Sequence, residues 1–192
     1  LSIGVTATVA RRIGEQDGDA ASVATVQGIM LGGLAALILG ALGAWQAPAL
    51  LRLMGATDQV VAVGQGYARV LFGMNGVIVL LFLLNAAFRG AGDAAIAMRV
   101  LWLANGLNIV LDPVLIFGLG PFPEMGVTGA AVATTIGRGT AVCVQLFTLF
   151  RLSHRLRVTL RHFRPRLGVM ARLLKLSGTG TLQIFIGTAS WV

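Results

Sequence analysis

The sequence is poor in charged residues and in cysteine. Only 11% of its 192 residues are charged, and it holds a single cysteine, Cys143. One cysteine cannot form an internal disulfide or a thiolate metal site, which excludes a disulfide-stapled secreted domain. The low charge also argues against a soluble domain, in which about 25% of residues are charged. Apolar residues make up 56% of the chain instead, and the mean hydropathy is +0.85.

Long apolar runs take the place of the missing polar residues. Four runs contain at most one charge each: 23–51, 70–88, 100–120 and 125–150. A helix needs roughly 20 apolar residues to cross a hydrocarbon core of about 30 Å, so each run is long enough to span a bilayer. Residues 1–10 look like the end of another span, and 177–192 like the start of one. We therefore predict an all-α, polytopic transmembrane helical bundle that is truncated at both ends.

The basic residues are distributed unevenly between the connecting segments. Segments 11–22, 89–99 and 151–175 hold twelve of the fifteen basic residues, whereas 52–59 and 120–126 hold only one. Lys and Arg are retained on the cytoplasmic side during insertion, so the first set should be cytoplasmic and the protein a multi-pass protein of the cell inner membrane. Topology thus accounts for the net charge of +8, and no nucleic-acid partner is expected.

Residues 151–175 differ in kind from the other connections. Arg and His alternate there with Leu, Phe and Met at loosely helical spacing, which is typical of an amphipathic segment on the inner leaflet. We predict that this segment contacts membrane lipids, anionic ones included. His154 and His162 should be solvated, because no carboxylate or thiol accompanies them for metal binding. In the first cytoplasmic turn, Asp19 or Ser22 should cap the next helix.

The stretch NGLNIVLDPVLIFG, residues 105–118, places an acid and a helix breaker inside a predicted span. Asp112 lies about 10 Å from the outer end of that span. Burial there disfavours the charged form, so the carboxyl group should be protonated, paired or wetted. Asn108 lies one turn away on the same face, and Pro113 weakens the backbone ladder. A hinge beside a protonatable group is what a proton-coupled conformational switch requires.

The next predicted span supplies partners for Asp112. Thr134 lies about 12 Å from the outer face and can hydrogen-bond the carboxyl group, while Arg138 lies about 18 Å down. An ion pair with Arg138 would instead keep Asp112 ionised, and interhelical hydrogen bonding without a transport role is a further alternative. No paired carboxylates, catalytic triad or HExxH motif is present, so we expect neither an enzyme nor a metal site.

Four blocks of sequence carry a resemblance to the multidrug and toxic compound extrusion (MATE) transporters. They are VARRIGEQDGDAA at 9–21, NAAFRGAGDAAIAMR at 85–99, LNIVLDPVLIFGLGPFPEMGVTGAAVATTIGR at 107–138, and the basic segment 151–175. By this resemblance, residues 1–150 are N-lobe helices, from the end of helix 2 through helix 6, of a twelve-helix antiporter with two six-helix lobes. Residues 151–175 are then the cytoplasmic interlobe linker, and 176–192 begin helix 7 of the C-lobe.

The resemblance also implies which residues couple transport to a cation. One branch of the family carries an Asn and an Asp one turn apart in helix 5, and Asn108 and Asp112 match that pair. Asn85 in helix 4 and Thr134 in helix 6 match further members of the same N-lobe polar network, which is implicated in proton coupling. The Asp that family members carry in helix 1 falls outside these 192 residues.

These observations predict a cation-coupled secondary antiporter that exports amphipathic or cationic drugs and toxic compounds. The coupling ion is H⁺ or Na⁺, with H⁺ favoured, and no other cofactor is expected. One alternative is a flippase for lipid-linked oligosaccharides from the same superfamily, with a larger cationic cavity that Arg69 and Arg138 line. The other is a membrane scaffold that transports nothing and needs no intramembrane carboxylate.

Overall fold

The computed structural model describes residues 1–152, 156 and 158–189, and every regular element in them is helical. The helices are α1 (Ser2–Gly14), α2 (Gly18–Trp45), α3 (Ala47–Leu53), α4 (Asp58–Gly73), α5 (Asn75–Gly90), α6 (Ala94–Phe117), α7 (Gly126–Phe147) and α8 (Leu167–Ala189). A π-helical turn, Thr148–Leu152, follows α7, and a short 3-10 helix, Leu160–Phe163, precedes α8. The predicted all-α class is confirmed.

The four apolar runs correspond to four helical stretches of membrane-spanning length, and the first run, 23–51, continues past α2 into α3. Three are unbroken: α2, α6 and the helical stretch Gly126–Arg151. The fourth consists of α4 and α5, which meet at a bend of 45°. Gly73 and Gly76 flank this bend, and glycine weakens a helix because it gives up more backbone freedom on folding. The sequence run 70–88 therefore does not form a straight helix.

The first of two compact units contains residues 1–32, 82–98 and the described residues from 145 onward. In this unit α1 packs closely on α8. A methyl group added at Gly4 would collide with the Ser177 hydroxyl and with the backbone of α8, so the missing side chain is what lets the two helices approach. The largest fully buried apolar side chains of the unit form its core: Val5, Val9, Val26, Leu83, Leu84, Phe88, Leu149, Leu156 and Leu173.

The second compact unit contains residues 33–81 and 99–144. A glycine again sets a helix contact, because a methyl group at Gly40 in α2 would lie 2.6 Å from the carbonyl oxygen of Phe72 in α4. Many large apolar side chains remain exposed in this unit, among them Leu37, Leu39, Trp45, Leu53, Trp102, Ile109 and Phe117. Such a surface is typical of a protein whose surroundings are apolar.

The turn between α1 and α2 is held by local polar contacts. Asp17 caps α2, since its carboxylate accepts a hydrogen bond of 2.9 Å from the backbone N–H of Ala20. The prediction that Asp19 or Ser22 caps this helix is therefore wrong, and the Asp19 side chain is left for another contact. Across the turn, hydrogen bonds from Arg11 and Arg12 lower the pKa of the exposed Glu15 carboxyl group.

The part of the basic segment that the structure describes from residue 158 to 175 is more ordered than its composition suggests. Helix α8 begins at Leu167, inside the segment that the sequence assigns to the linker, because positions such as Leu173 are fully buried. His162 is also buried, with 5% of its surface exposed, and its Nε2 lies 2.8 Å from Asp19 Oδ1. The prediction of a solvated His162 is wrong, since this contact joins two segments that are far apart in sequence. His154 lies outside the described residues.

We predict that Gly129→Ala destabilises the full-length protein and that Gly139→Ala does not. A methyl group at Gly129 in α7 would lie 2.5 Å from the Leu115 carbonyl oxygen in α6, whereas nothing lies within 4 Å at Gly139. Overpacking of this kind costs about 1–3 kcal/mol, but alanine in an open helical position is about 0.5–1 kcal/mol better than glycine. Thermal unfolding in detergent will measure the difference. Equal stability of the two variants would contradict the close approach of α6 and α7.

Candidate ion-coupling site

Helix α6 carries the candidate carboxylate. Asn108 and Asp112 lie one turn apart in it, and Pro113 follows within the same helix. Proline has no backbone N–H, so the carbonyl group of Ile109 lacks the donor that would normally lie four residues later. The helix nevertheless runs on to Phe117 without a break. The weakened backbone ladder therefore lies immediately beside the acid.

Two acceptor oxygens at this position are buried without a partner. Oδ1 of Asn108 and Oδ1 of Asp112 are inaccessible, and neither accepts a hydrogen bond from any described residue. An unsatisfied buried polar atom costs about 1–3 kcal/mol, and native structures contain few of them. Both atoms are electron-rich oxygens on the same face of the helix. Their chemistry suits a proton or a small hard cation.

Helix α7 packs closely against this part of α6. A methyl group at Gly137 would collide with Oδ1 of Asn108 and would lie 2.9 Å from the Ala104 carbonyl oxygen. Gly137 therefore leaves the amide oxygen facing a bare helix backbone. This small residue, which the sequence reading did not single out, determines how near α7 comes to Asn108.

Thr134 and Arg138 of α7 are half-buried and lie in the same compact unit as Asp112. Within the described part of the chain, Asp112 receives no hydrogen bond from Thr134 on its buried oxygen and no ion pair from Arg138. Thr135, which follows Thr134 in α7, donates a hydrogen bond to the carbonyl group of Ala131 in the same helix. Among the described residues, the Oδ1 atom of Asp112 thus has no partner in this conformation.

Asn85 has a partner that the sequence reading missed. Its Oδ1 accepts a hydrogen bond of 2.7 Å from Nε2 of Gln145, whose side chain is fully buried and whose own Oε1 has no partner among the described residues. Both residues belong to the first compact unit, whereas Asn108, Asp112, Pro113, Thr134 and Arg138 belong to the second. In the sequence, Gln145 is marked only by being a polar residue inside the apolar run 125–150, which could have indicated a buried hydrogen-bonding partner.

An acid, an adjacent amide and a proline within apolar helices of membrane-spanning length are typical of integral membrane transport proteins. The MatE family model matches residues 1–114, and the chain belongs to this family. The resemblance inferred from the four sequence blocks is confirmed. MATE proteins are transporters, and the family is not known for enzymes.

Curated relatives agree with this membership. The chain is 31% identical over 156 residues to the FAD transporter of Shewanella oneidensis and 31% identical over 150 residues to the probable multidrug resistance protein NorM of Thermotoga maritima. The matches cover 81% and 78% of this chain but 34% and 32% of the two relatives. The chain thus spans about a third of the length of these relatives.

Solved structures show the same fold. A MATE crystal structure described as the bent conformation matches 99% of this chain, with a TM-score of 0.87 and 32% identity, and the match covers 42% of that protein. A MATE transporter of the MOP superfamily in its inward-facing conformation matches 91% of the chain, with a TM-score of 0.82 and 33% identity, over 39% of its own length.

We predict that Gln145→Leu lowers the free energy of unfolding by about 1–3 kcal/mol, because Asn85 Oδ1 would lose its donor while staying partly buried. Replacing both partners with leucine should cost less than the sum of the single changes, since no unpaired polar atom then remains. Thermal unfolding of the two single variants and the double variant in the full-length protein measures this coupling. Strict additivity would show that the two amides do not depend on each other.

Proposed function

We propose that this chain is the N-lobe part of a cation-coupled antiporter, driven by H⁺, that exports amphipathic or cationic compounds across the inner membrane. The observation that carries the proposal is the pair of buried, unpartnered oxygens of Asn108 and Asp112, one turn apart beside Pro113. An acceptor pair of this kind is costly to maintain. Its retention in an apolar span is explained if a proton or cation occupies it during part of the transport cycle.

Asp112 is the coupling residue in this proposal. Protonation removes its charge and converts it from an acceptor into a donor, which changes the hydrogen bonds available to Asn108 and to Thr134. Because Pro113 weakens the backbone beside it, α6 can respond to that change by bending, which opens or closes the N-lobe cavity. Protonation from the outside then favours substrate release, and deprotonation towards the cytoplasm resets the site.

Two residues have secondary roles in the same proposal. Asn85 belongs to the coupling network by its match to the family pattern, and its hydrogen bond to Gln145 holds its amide in one orientation. Arg138 is half-buried on α7, one turn beyond Thr134, and lines the cavity. A guanidinium group there stays charged and offers several donors, so it favours substrates that carry an acceptor next to their apolar part.

A second substrate class is supported by one relative. The FAD transporter of Shewanella oneidensis is 31% identical over 81% of this chain, so an anionic dinucleotide is the alternative cargo. Proteoliposomes containing the full-length protein distinguish the two substrate classes. Under an imposed pH gradient, transport of a fluorescent cationic dye is compared with transport of FAD. Export of FAD without export of the dye would reassign the substrate and leave the coupling mechanism in place.

We also propose that the linker 151–175 binds anionic lipid on the cytoplasmic side. Exposed arginines at 161, 164, 166 and 172 accompany the exposed apolar side chains of Phe163 and Leu167. Arginine near an anionic surface contributes about 1 kcal/mol per residue, and adjacent apolar side chains enter the interface. Arg155 and Arg157 lie outside the described residues.

Asp112→Asn should abolish export driven by a pH gradient, because asparagine keeps the size and polarity of the side chain but cannot exchange a proton. Asp58→Asn is the matched control, since Asp58 is 90% exposed and makes only a long contact of 3.4 Å with Arg52. Dye uptake into inverted vesicles with equal amounts of each full-length protein is the measurement, because export from the cytoplasmic face fills such vesicles. Full activity of the Asp112→Asn protein would overturn the coupling assignment, and a sodium gradient in the same assay distinguishes Na⁺ from H⁺.

Replacing Arg161, Arg164 and Arg172 together with glutamine should weaken the dependence of transport on anionic lipid. Three such charges correspond to about 3 kcal/mol of surface attraction at low salt. Transport rates in vesicles with and without phosphatidylglycerol will show the effect, and Arg52→Gln, on the opposite face in the proposed topology, is the control. If the transport rate of the variant depends on anionic lipid as strongly as before, the basic residues of the linker serve only to set the membrane topology.

A further inference from the structure

A buried amide in α2 binds the main chain of the linker. Gln27 is completely inaccessible, and its Nε2 donates to the carbonyl oxygens of His162, at 3.1 Å, and Arg164, at 2.9 Å. Its Oε1 accepts a hydrogen bond of 2.9 Å from the backbone N–H of Arg166. Both amide protons and the amide oxygen are therefore used. All three partners are main-chain atoms within five consecutive residues, so the contact depends on backbone conformation and not on the identity of the linker side chains.

A second contact fixes the same stretch. The backbone N–H of Thr159 donates to Nδ1 of His162 at 3.1 Å, which leaves Nε2 as the protonated nitrogen that donates to Asp19 Oδ1 at 2.8 Å. This arrangement suits the neutral Nε2–H tautomer of the imidazole. Asp19 and Gln27 lie two turns apart on α2, so the linker is hydrogen-bonded to this helix at two positions along the helix axis.

Linker residues 162–166, which are hydrogen-bonded to Gln27, lead directly into α8. Arg166 is the residue before the first residue of α8, and its carbonyl oxygen accepts hydrogen bonds from Val169 and Met170 in the first turn. Gln27 in α2 and the first turn of α8 are therefore connected through the main chain of residues 162–166 by consecutive hydrogen bonds. A packing contact alone would not need three directional bonds to main-chain atoms, since apolar side chains pack without them.

We propose that Gln27 is a positioning residue of the transport cycle, which clamps linker residues 162–166 to α2 so that α2 and the start of α8 move together. The inference rests on the proposed function only in that 151–175 is taken as the link between the lobes. The clamp consists of Gln27, the main chain of residues 162–166, and the His162–Asp19 contact. In this proposal the clamp fixes the position of the linker, and its residues contact neither the substrate nor the coupling ion.

The chain offers a matched pair of variants that isolates one bond of the clamp. Arg166→Pro removes the N–H that Gln27 Oε1 accepts, together with the arginine side chain, whereas Arg166→Ala removes the same side chain and keeps the N–H. A buried acceptor left without its donor should raise the detached fraction of the linker by about tenfold or more. Gln27→Met keeps a similar shape without any hydrogen-bonding group and tests the same clamp from α2.

Spin labels at Arg11→Cys and Arg161→Cys, in a full-length protein whose native cysteines, Cys143 included, are replaced by serine, report linker position by pulsed electron paramagnetic resonance. Both labelled positions are exposed. We expect one narrow distance distribution with Arg166→Ala and a broadened one with Arg166→Pro and with Gln27→Met. In vesicles, the two clamp variants should lose turnover at least about tenfold with little change in the substrate KM, because the cavity is intact.

The outcomes separate this inference from the proposed function. Identical distance distributions for Arg166→Pro and Arg166→Ala overturn the clamp, as does a clamp variant with normal turnover. If Arg166→Pro does not insert into the membrane, Gln27→Met against Arg166→Ala decides the question in the same way. Asp112→Asn should keep the narrow distribution while losing transport, so a failure of the coupling proposal leaves the distance measurement meaningful.

Discussion

The hydrogen-bonding demand of a polypeptide in an apolar environment governs this structure. With no water to accept its N–H and C=O groups, the backbone must satisfy them internally, and a helix does so within one segment. Helices that already satisfy their backbones associate through close packing, which depends on small residues at the contacts. Gly4, Gly40, Gly129 and Gly137 each lie where a methyl group would collide with a neighbouring helix. The positions of the polar side chains follow from how near these glycines let the helices come.

Polar side chains inside this framework fall into two groups. Gln27 uses both of its amide protons and its oxygen on the main chain of the linker, which is the arrangement that a rigid structural contact needs. Asn108 and Asp112 each keep a buried oxygen to which no described residue donates, which is unfavourable unless another species supplies the missing donor. An amide whose hydrogen-bonding groups are all used suits a segment that must hold its position. An acid with a free acceptor oxygen suits a segment that gains and loses a proton.

Sequence reasoning predicted the helical class and the polar residues in α6, because each depends on composition or on neighbours along one helix. It also identified the family, through the resemblance of four sequence blocks. It did not predict the bend of 45° between α4 and α5, since the chain has 26 glycines and Gly73 and Gly76 are not distinguished by sequence from glycines inside straight helices. It also placed His162 in solvent, whereas the side chain is buried beside Asp19. These two residues are 143 positions apart, and no local pattern records that they meet.

The amino-acid sequence by itself determined that this chain is a multi-pass membrane protein of the MATE family, with an acid, an amide and a proline in one span. The membrane class and the polar residues follow from hydrophobicity and spacing along single helices, and the family follows from the resemblance of four sequence blocks. None of these depends on how the helices pack. Only the tertiary structure decided that Gln145 bonds to Asn85, that Gln27 holds the linker, and that Asp112 Oδ1 is buried with no partner among the described residues. A hydrogen bond needs its two atoms within about 3 Å, and helix packing alone brings distant residues that close.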